Sequence, residues 1–224
     1  MTRLGALASV EVAALAPGSL LVVPLGATEQ HGPHLPLDTD TVIATALASR
    51  LGGDSVLAPP LPYGSSGEHQ GFPGTLSIGR DAVETVLVEL ARSATETFDR
   101  VLLLCAHGGN AEPLARALRR LHSEDRDVRA WSPASVWSGD AHAGHVETSV
   151  MLALRPETVA LERAAAGNTA PLGSLIAPMR DGGVGAVSAN GVLGDPTRAS
   201  AAAGAELIER AVTALRAFVA EWIA

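Results

Sequence analysis

Lysine is absent from this sequence, so all 16 residues counted as Lys or Arg are arginines. A Schiff base on a lysine amine is therefore excluded as a catalytic device. Cysteine occurs once, at Cys105, which excludes an intrachain disulfide and any thiolate-rich zinc or iron–sulfur site. Within its apolar segment, Cys105 is expected to pack as a small apolar residue. A metal bound by this chain would need nitrogen and oxygen ligands.

Long apolar runs and basic clusters are also missing. Each apolar segment is interrupted well before the roughly 20 residues that a membrane-spanning helix needs. The N-terminus lacks the basic start and apolar core of a signal peptide. The formal net charge is −8, and the longest basic cluster is the pair Arg119–Arg120, whereas nucleic-acid binders carry a basic face. We therefore expect a cytoplasmic protein that contacts neither membrane nor nucleic acid.

Apolar runs alternate with helix-periodic segments along the chain. The runs 19–25 and 100–106 are continuous and rich in branched residues, which is typical of strands buried on both faces of a sheet. Shorter strands are predicted at 55–58 and 128–136, helices at 41–51, 80–98, 111–122, 144–154 and 197–223, and irregular structure at 167–196. This order predicts one α/β domain over residues 1–224, a three-layer α/β/α sandwich with a mostly parallel central sheet. Such sheets bind ligands beyond the carboxyl ends of their strands.

Carboxylate and imidazole side chains crowd the segment 26–40, GATEQHGPHLPLDTD, directly after the first buried strand. In extended backbone, residues i and i+2 point the same way, so Glu29 and His31 can approach one metal ion. Asp40 can reach the same ion from the start of the next helix. The alternative is that Asp38 and Asp40 cap that helix and Glu29 lies in a surface loop. Because so many ligand-type side chains are concentrated here, we favour a metal site, with Asp38 as the cap and Asp40 as a ligand.

His107 occupies the corresponding point after the second buried strand, and two glycines follow it, which leave room for a ligand to approach the backbone. A histidine satisfied within the core is the alternative interpretation. The segment 142–148, HAGHVET, adds His142 and Glu147 at the start of a predicted helix. Imidazole titrates near neutral pH, so His142 is our candidate for moving a proton during catalysis.

Four segments, PLGATEQHGPHLPLDTD, YGSSGEHQGFPGT, AHGGN and HAGHVETS, occur in this order and together resemble the creatininase, or creatinine amidohydrolase, family. The resemblance spans at least residues 21–154. The first motif, with its E-x-H and the following T-D, is its most specific part. The resemblance implies a three-layer α/β/α fold, a metal centre that is often binuclear, and commonly a hexameric assembly.

The resemblance also implies a set of site residues. The implied metal ligands are Glu29, His31, Asp40, His107 and Glu147, with Asp40 as the bridge between two ions. Nitrogen and oxygen ligands suit zinc, iron(II) or manganese. The three carboxylates neutralise most of the charge of two divalent ions and a bridging hydroxide balances the rest, and such ions activate water and polarise the attacked carbonyl. Weaker candidates, for holding substrate, are His34, His69, His145 and Asn110.

One position departs from the family pattern. In creatininases proper, a metal-binding glutamate follows the ligand histidine by two positions, whereas this chain has Gly109 there. The HGGN form and the shorter chain look more like a branch that contains a peptidase, which releases a C-terminal Val-Tyr dipeptide from a modified precursor peptide. We therefore predict hydrolysis of such a peptide bond by a metal-bound hydroxide. Hydrolysis of a small cyclic or formyl amide remains an alternative, as does a non-catalytic metal- or ligand-binding protein.

Overall fold

Five short strands and seven α-helices make up the regular structure in a computed structural model that describes residues 1–224. The strands are β1 (Thr2–Arg3), β2 (Leu20–Leu25), β3 (Ser55–Leu57), β4 (Arg100–Cys105) and β5 (Val128–Trp131). The helices are α1 (Ser9–Leu15), α2 (Thr39–Ser49), α3 (Arg80–Ala94), α4 (Ala111–Ser123), α5 (His145–Leu154), α6 (Leu172–Gly182) and α7 (Ala201–Ile223). The strands form one sheet in the order β1-β3-β2-β4-β5, and every pair is parallel.

The predicted α/β class and parallel sheet are confirmed, with three differences in the elements. The predicted strand 128–136 ends at Trp131, two residues before Pro133, which has no N–H to continue a strand ladder. The segment 167–196 is not wholly irregular, because it contains α6. The strand β1, of two residues, and the helix α1, of seven, were not predicted, because they are too short to show a clear periodic pattern. None of the helices is both long enough and apolar enough to cross a membrane.

The chain divides into two compact units. The first comprises residues 1–26, 40–65 and 78–135, and the second comprises residues 27–39, 66–77 and 136–224. The whole sheet lies in the first unit, together with α1, α3, α4 and nearly all of α2. The second unit holds α5, α6 and α7. The single domain expected from the sequence stays a prediction.

The core of the first unit explains why the runs of β2 and β4 are continuously apolar. Alternate side chains of both strands face α3 and α4 and join one apolar cluster with them; these side chains are Leu21, Val23, Leu25, Val101, Leu103 and Cys105. The side chains of the opposite face are buried as well; they are Leu20, Val22, Leu102 and Leu104. A strand covered on both faces needs apolar residues at every position rather than at every second one.

In the second unit, α5 and α7 pack closely against each other at Gly204. A Cβ atom built on Gly204 would lie 1.9 Å from the carbonyl O of Ser149 in α5, so only glycine allows this approach of the two backbones. The sequence predicts that α7 could be interrupted at Gly204, but the helix continues through it. This packing holds in place the helix that carries Glu147.

Candidate metal centre

Five ligand-type side chains of the second unit lie close together. Glu29 and His31 come from the loop that follows β2, His69 from a single 3-10 turn at Gly67–His69, and Glu147 from the first turn of α5. His142 precedes α5. Glu29 Oε1 lies 3.4 Å from His69 Nε2 and 3.8 Å from His142 Nδ1, while His31 Nε2 lies 3.9 Å from Glu147 Oε2. Two sets of ligand atoms, one from Glu29, His69 and His142 and one from His31, His142 and Glu147, each fit within 4.8 Å.

The hydrogen bonds of the two central histidines define which ring nitrogen faces the carboxylates. His31 Nδ1 lies 3.1 Å from the carbonyl O of Glu29, and His142 Nε2 lies 2.8 Å from the carbonyl O of Gln30. A carbonyl only accepts, so in the neutral rings these nitrogens carry the hydrogen. The lone pairs are then on His31 Nε2 and His142 Nδ1, the atoms that face Glu147 and Glu29.

A lone pair and a carboxylate oxygen repel each other unless a metal cation or a proton lies between them. His31 and Glu29 are 0% and 1% exposed, so water cannot readily screen that repulsion. A histidine that binds a metal through one ring nitrogen usually donates the N–H of the other ring nitrogen to an acceptor such as a backbone carbonyl. The donor set of the second unit therefore fits a divalent metal.

The first unit contains a similar pair. His107 Nε2 lies 3.0 Å from the carbonyl O of Ser65, and His107 Nδ1 lies 3.0 Å from Asp40 Oδ2. Because the Ser65 carbonyl accepts the one N–H of a neutral ring, the lone pair of Nδ1 faces the carboxylate. Both side chains are buried. This pair also fits ligands of a metal cation, and it is formed by the residues that follow β4 and begin α2.

Two neighbours of His107 have partners in the backbone. The amide of Asn110 accepts a hydrogen bond from Ser65 N at 2.9 Å and donates one to the carbonyl O of Gly26 at 3.2 Å. Cys105 Sγ donates to the carbonyl O of His107 at 3.2 Å, and burial raises the pKa of its thiol. Asn110 thus ties together the loops that follow β2, β3 and β4.

His34 and Glu147 form hydrogen bonds with residues of α5 and of the turn before it. His34 is 2% exposed and its Nε2 lies 2.8 Å from Thr148 Oγ1. Burial, with a smaller contribution from the charge of His31, lowers the pKa of His34 to about 4. Glu147 Oε2 accepts a hydrogen bond from Ala143 N at 2.6 Å, and Ala143 has a φ of 51°, a left-handed conformation that non-glycine residues seldom adopt.

The chain was compared with known families and proteins. The family model described as Creatininase: Creatinine amidohydrolase matches residues 6–219. The chain belongs to the creatininase family. One similar protein is the "Mycofactocin precursor peptide peptidase" of Mycolicibacterium smegmatis. It is 50% identical to this chain over 211 residues, which cover 91% of this chain and 85% of the relative.

Solved creatininases share the fold. The structure named "Creatininase Mn" has a TM-score of 0.81 and 26% identity, with 98% of both chains covered. A mutant creatininase of "Zn-Zn type" has the same TM-score and identity, with 98% of this chain and 97% of the other covered. The creatininase fold predicted for this chain is confirmed. The names of these two creatininase structures refer to manganese and zinc. The cluster of histidines and glutamates in the second unit offers nitrogen and oxygen donors, which suit both metals.

The structure brings together most of the residues predicted from sequence. Within the second unit these are Glu29, His31, His69, His142 and Glu147, and within the first unit they are Asp40 and His107. Their assignment as metal ligands, proton carrier or substrate contacts stays a prediction. Two further residues were missed. Gln30 contacts His69 and His142 through its side chain, and Asp140 accepts hydrogen bonds from His145 N and Val146 N, so it caps α5. Asp140 carries no N-cap signature in the sequence, because it lies four positions before Gly144, the N-cap residue of α5.

Proposed function

We propose that this chain is a metal-dependent peptidase that hydrolyses a peptide bond of the mycofactocin precursor peptide and releases the C-terminal Val-Tyr dipeptide. The observation that carries the proposal is the 50% identity with the mycofactocin precursor peptide peptidase over 91% of the chain. The buried cluster of carboxylates and imidazoles supports hydrolysis by the same class of chemistry.

Creatinine hydrolysis is not favoured. The solved creatininases are 26% identical to this chain, about half the identity of the peptidase. Gly109 also leaves no carboxylate at the position where creatininases proper carry a metal-binding glutamate. A site that had lost turnover would not be expected to keep Glu147 and His142, so the non-catalytic alternative is not favoured either.

The proposed metal ligands are Glu29, His31, Asp40, His107 and Glu147. They would hold two divalent ions, for which zinc, iron(II) and manganese all suit the nitrogen and oxygen donors. Such ions supply a water of lowered pKa and polarise the attacked carbonyl. The carbonyl groups of Glu29 and Ser65 orient His31 and His107 through their second nitrogens, which fixes the lone pairs on the opposite side of each ring.

His142 is the proposed proton carrier. Its Nε2–H donates to the carbonyl O of Gln30, so its Nδ1 is the atom that can accept a proton and deliver it to the leaving nitrogen. Glu29 Oε1, 3.8 Å from that Nδ1, would stabilise the imidazolium ion formed between these two transfers. Because hydrolysis of an amide needs a protonated leaving group, this transfer is required in addition to the attack on the carbonyl.

A cleft in the second unit supports a peptide as the substrate. It has a volume of about 260 Å³, and Gln30 lines it together with the apolar side chains of Pro33, Leu37, Phe72 and Pro73. Gln30 also contacts His69 and His142, so the cleft adjoins the candidate site. We propose that an apolar side chain of the precursor peptide occupies this cleft, since apolar walls with a few polar groups are typical of ligand sites.

The first prediction concerns hydrolysis of the modified precursor peptide, which mass spectrometry of the released dipeptide measures. Removal of metal with a chelator should abolish release of the dipeptide, and added zinc, iron(II) or manganese should restore it.

Two substitutions test individual residues in the same assay. His107→Ala should lower kcat to the background rate, because it removes a proposed metal ligand. Phe72→Ala should raise KM by roughly 10-fold, since about 1–3 kcal/mol of apolar contact is lost, with little change in kcat.

The matched control is His122→Ala, the same substitution at an exposed histidine of α4 in the same unit. It should leave kcat and KM unchanged. Full activity after complete removal of metal would overturn the mechanism. Release of ammonia or creatine-like products from small cyclic amides, with no cleavage of the peptide, would overturn the substrate assignment while leaving the metal site intact.

We further propose that the chain forms a homohexamer in the cytoplasm. Large apolar side chains remain exposed on the single chain, among them Val10 at 78% and Leu76 at 54%, and such side chains are candidates for subunit contacts. Light scattering should give a mass of about six times the 22.8 kDa of one chain. A monomer at micromolar concentration would contradict the proposal.

A further inference from the structure

Gln30 lies between two proposed ligands in the sequence and is 5% exposed. Its side-chain oxygen accepts a hydrogen bond from Gly32 N at 2.8 Å. Its side-chain nitrogen lies 3.1 Å from the carbonyl O of Gly191. An amide nitrogen of the backbone only donates and a backbone carbonyl only accepts, so these two contacts define the orientation of the Gln30 amide.

The second hydrogen of the Gln30 amide has one available acceptor. Gln30 Nε2 lies 2.8 Å from His69 Nδ1 and 3.2 Å from His142 Nε2. His142 Nε2 carries a hydrogen of its own, which it donates to the carbonyl O of Gln30 at 2.8 Å. It therefore cannot accept from the amide, and the remaining hydrogen goes to His69 Nδ1.

These hydrogen bonds assign opposite tautomers to the two imidazoles. Neutral His69 accepts at Nδ1, so its hydrogen is on Nε2, which lies 3.4 Å from Glu29 Oε1. Neutral His142 carries its hydrogen on Nε2, so its lone pair is on Nδ1, 3.8 Å from the same oxygen. The two rings are neighbours, with centroids 4.4 Å apart. Glu29 thus faces an N–H of one ring and a lone pair of the other.

We infer that Gln30 is a positioning residue that sets these opposite tautomers through its side-chain amide and its backbone carbonyl. His69 then presents its Nε2–H to the Glu29 carboxylate and so helps to orient it. His142 presents the lone pair of Nδ1 to the same carboxylate. The catalytic consequence rests on the proposed function, whereas the tautomers do not.

The backbone around Gln30 reserves the space for this arrangement. Gly32 and Gly191 have φ angles of 65° and 76°, in the left-handed region that favours glycine. A Cβ atom on Gly191 would lie 2.1 Å from Gln30 Oε1. The glycine at 191 is therefore required both by its conformation and by the amide that it contacts.

The test is Gln30→Glu, which keeps the size of the side chain but removes both N–H donors. Long-range proton–nitrogen NMR spectra of the zinc-loaded protein report which nitrogen of each histidine carries hydrogen. His69 should acquire a hydrogen on Nδ1, because its Nδ1 now faces a carboxylate, while its Nε2 still faces Glu29 Oε1. His142 should keep its tautomer, since a backbone carbonyl defines it. On the precursor peptide, kcat should fall roughly 10- to 100-fold with little change in KM.

Gln70→Glu is the matched control, because it is the same change at an exposed position of the neighbouring loop, and it should alter neither the tautomer nor kcat. If Gln30→Glu does not fold, Gln30→Met replaces it, and His69 should then populate both tautomers. An unchanged His69 tautomer in the folded variant would overturn the inference. If the tautomer changes in the variant but the unsubstituted protein cleaves no precursor peptide, the inference is supported and the proposed function is contradicted.

Discussion

Asn110 is a residue for which the sequence and the fold emphasise different roles. Its place in the AHGGN turn predicts contact with substrate. In the structure it is 1% exposed, and its amide bridges two backbone groups, Ser65 N and the carbonyl O of Gly26. Both hydrogen-bonding ends of the side chain are occupied. A stabilising role is therefore added to the predicted one, and the two can be separated by measurement.

Asn110→Asp should destabilise the protein by about 1–3 kcal/mol, because it places a carboxylate oxygen against the Gly26 carbonyl and leaves a buried acceptor without its donor. Urea unfolding monitored by circular dichroism measures this free energy. An unchanged free energy of unfolding would show that the bridge contributes nothing. An increase in KM of the folded variant beyond the loss of stability would support the predicted contact with substrate.

The motif residues could be predicted from sequence because each motif is contiguous and follows a strand. Glu29, His31 and Asp40 lie within 12 positions of one another, so their chemistry is visible in one line of text. The role of Gln30 could not be predicted. The carbonyl that defines its orientation belongs to Gly191, 161 positions later in the chain, and the polarity of that contact is decided only by the fold.

At the scale of the elements, strand and helix patterns were reliable where one signal dominated. The runs of β2 and β4 were predicted within one residue of their observed ends, because burial on both faces leaves no polar position. The helix α6 was missed because Gly173, Pro178 and Gly182 interrupt its apolar spacing. Those residues disfavour helix locally, and packing around Leu175 stabilises it nevertheless.

Gly204→Ala should destabilise the protein by about 1–3 kcal/mol, as overpacking typically does, because the new methyl group would overlap the Ser149 carbonyl. Alanine is intrinsically the better helix former by about 1 kcal/mol, so the direction of the change shows which effect is larger. Gly173→Ala in α6 is the matched control. A Cβ atom there meets nothing within 4 Å, and this variant should be as stable as the parent or up to about 1 kcal/mol more stable.

If both glycine variants were stabilised equally in thermal and urea unfolding, the close approach of α5 and α7 would be contradicted. Because α5 carries Glu147, the Gly204 variant should also lose metal affinity, measured by titration with zinc. The Gly173 variant should keep it. The packing of two helices is thereby connected to the chemistry at the first turn of one of them.

At the scale of the whole molecule, the order of apolar runs and helical segments predicted the fold class, but it did not predict which distant residues contact one another. The α/β class follows from alternating strands and helices, and each loop that follows a central strand carries candidate ligands. The long segment 136–224, which supplies His142, Glu147 and Gly191, has no regular strand pattern. Its contribution to the cluster of the second unit could be expected from the HAGHVETS motif, but the contacts of Gly191 and the capping by Asp140 could not.

The burial of Cys105 has a practical consequence for chemical labelling. The chain has one thiol and no lysine, and that thiol lies at the end of β4, 4% exposed, with its pKa raised by burial. A thiol-specific reagent can therefore modify the native protein only when the first unit opens around β4. The rate of modification would report the local unfolding of this unit, without an introduced cysteine and without interference from a second thiol or from a lysine.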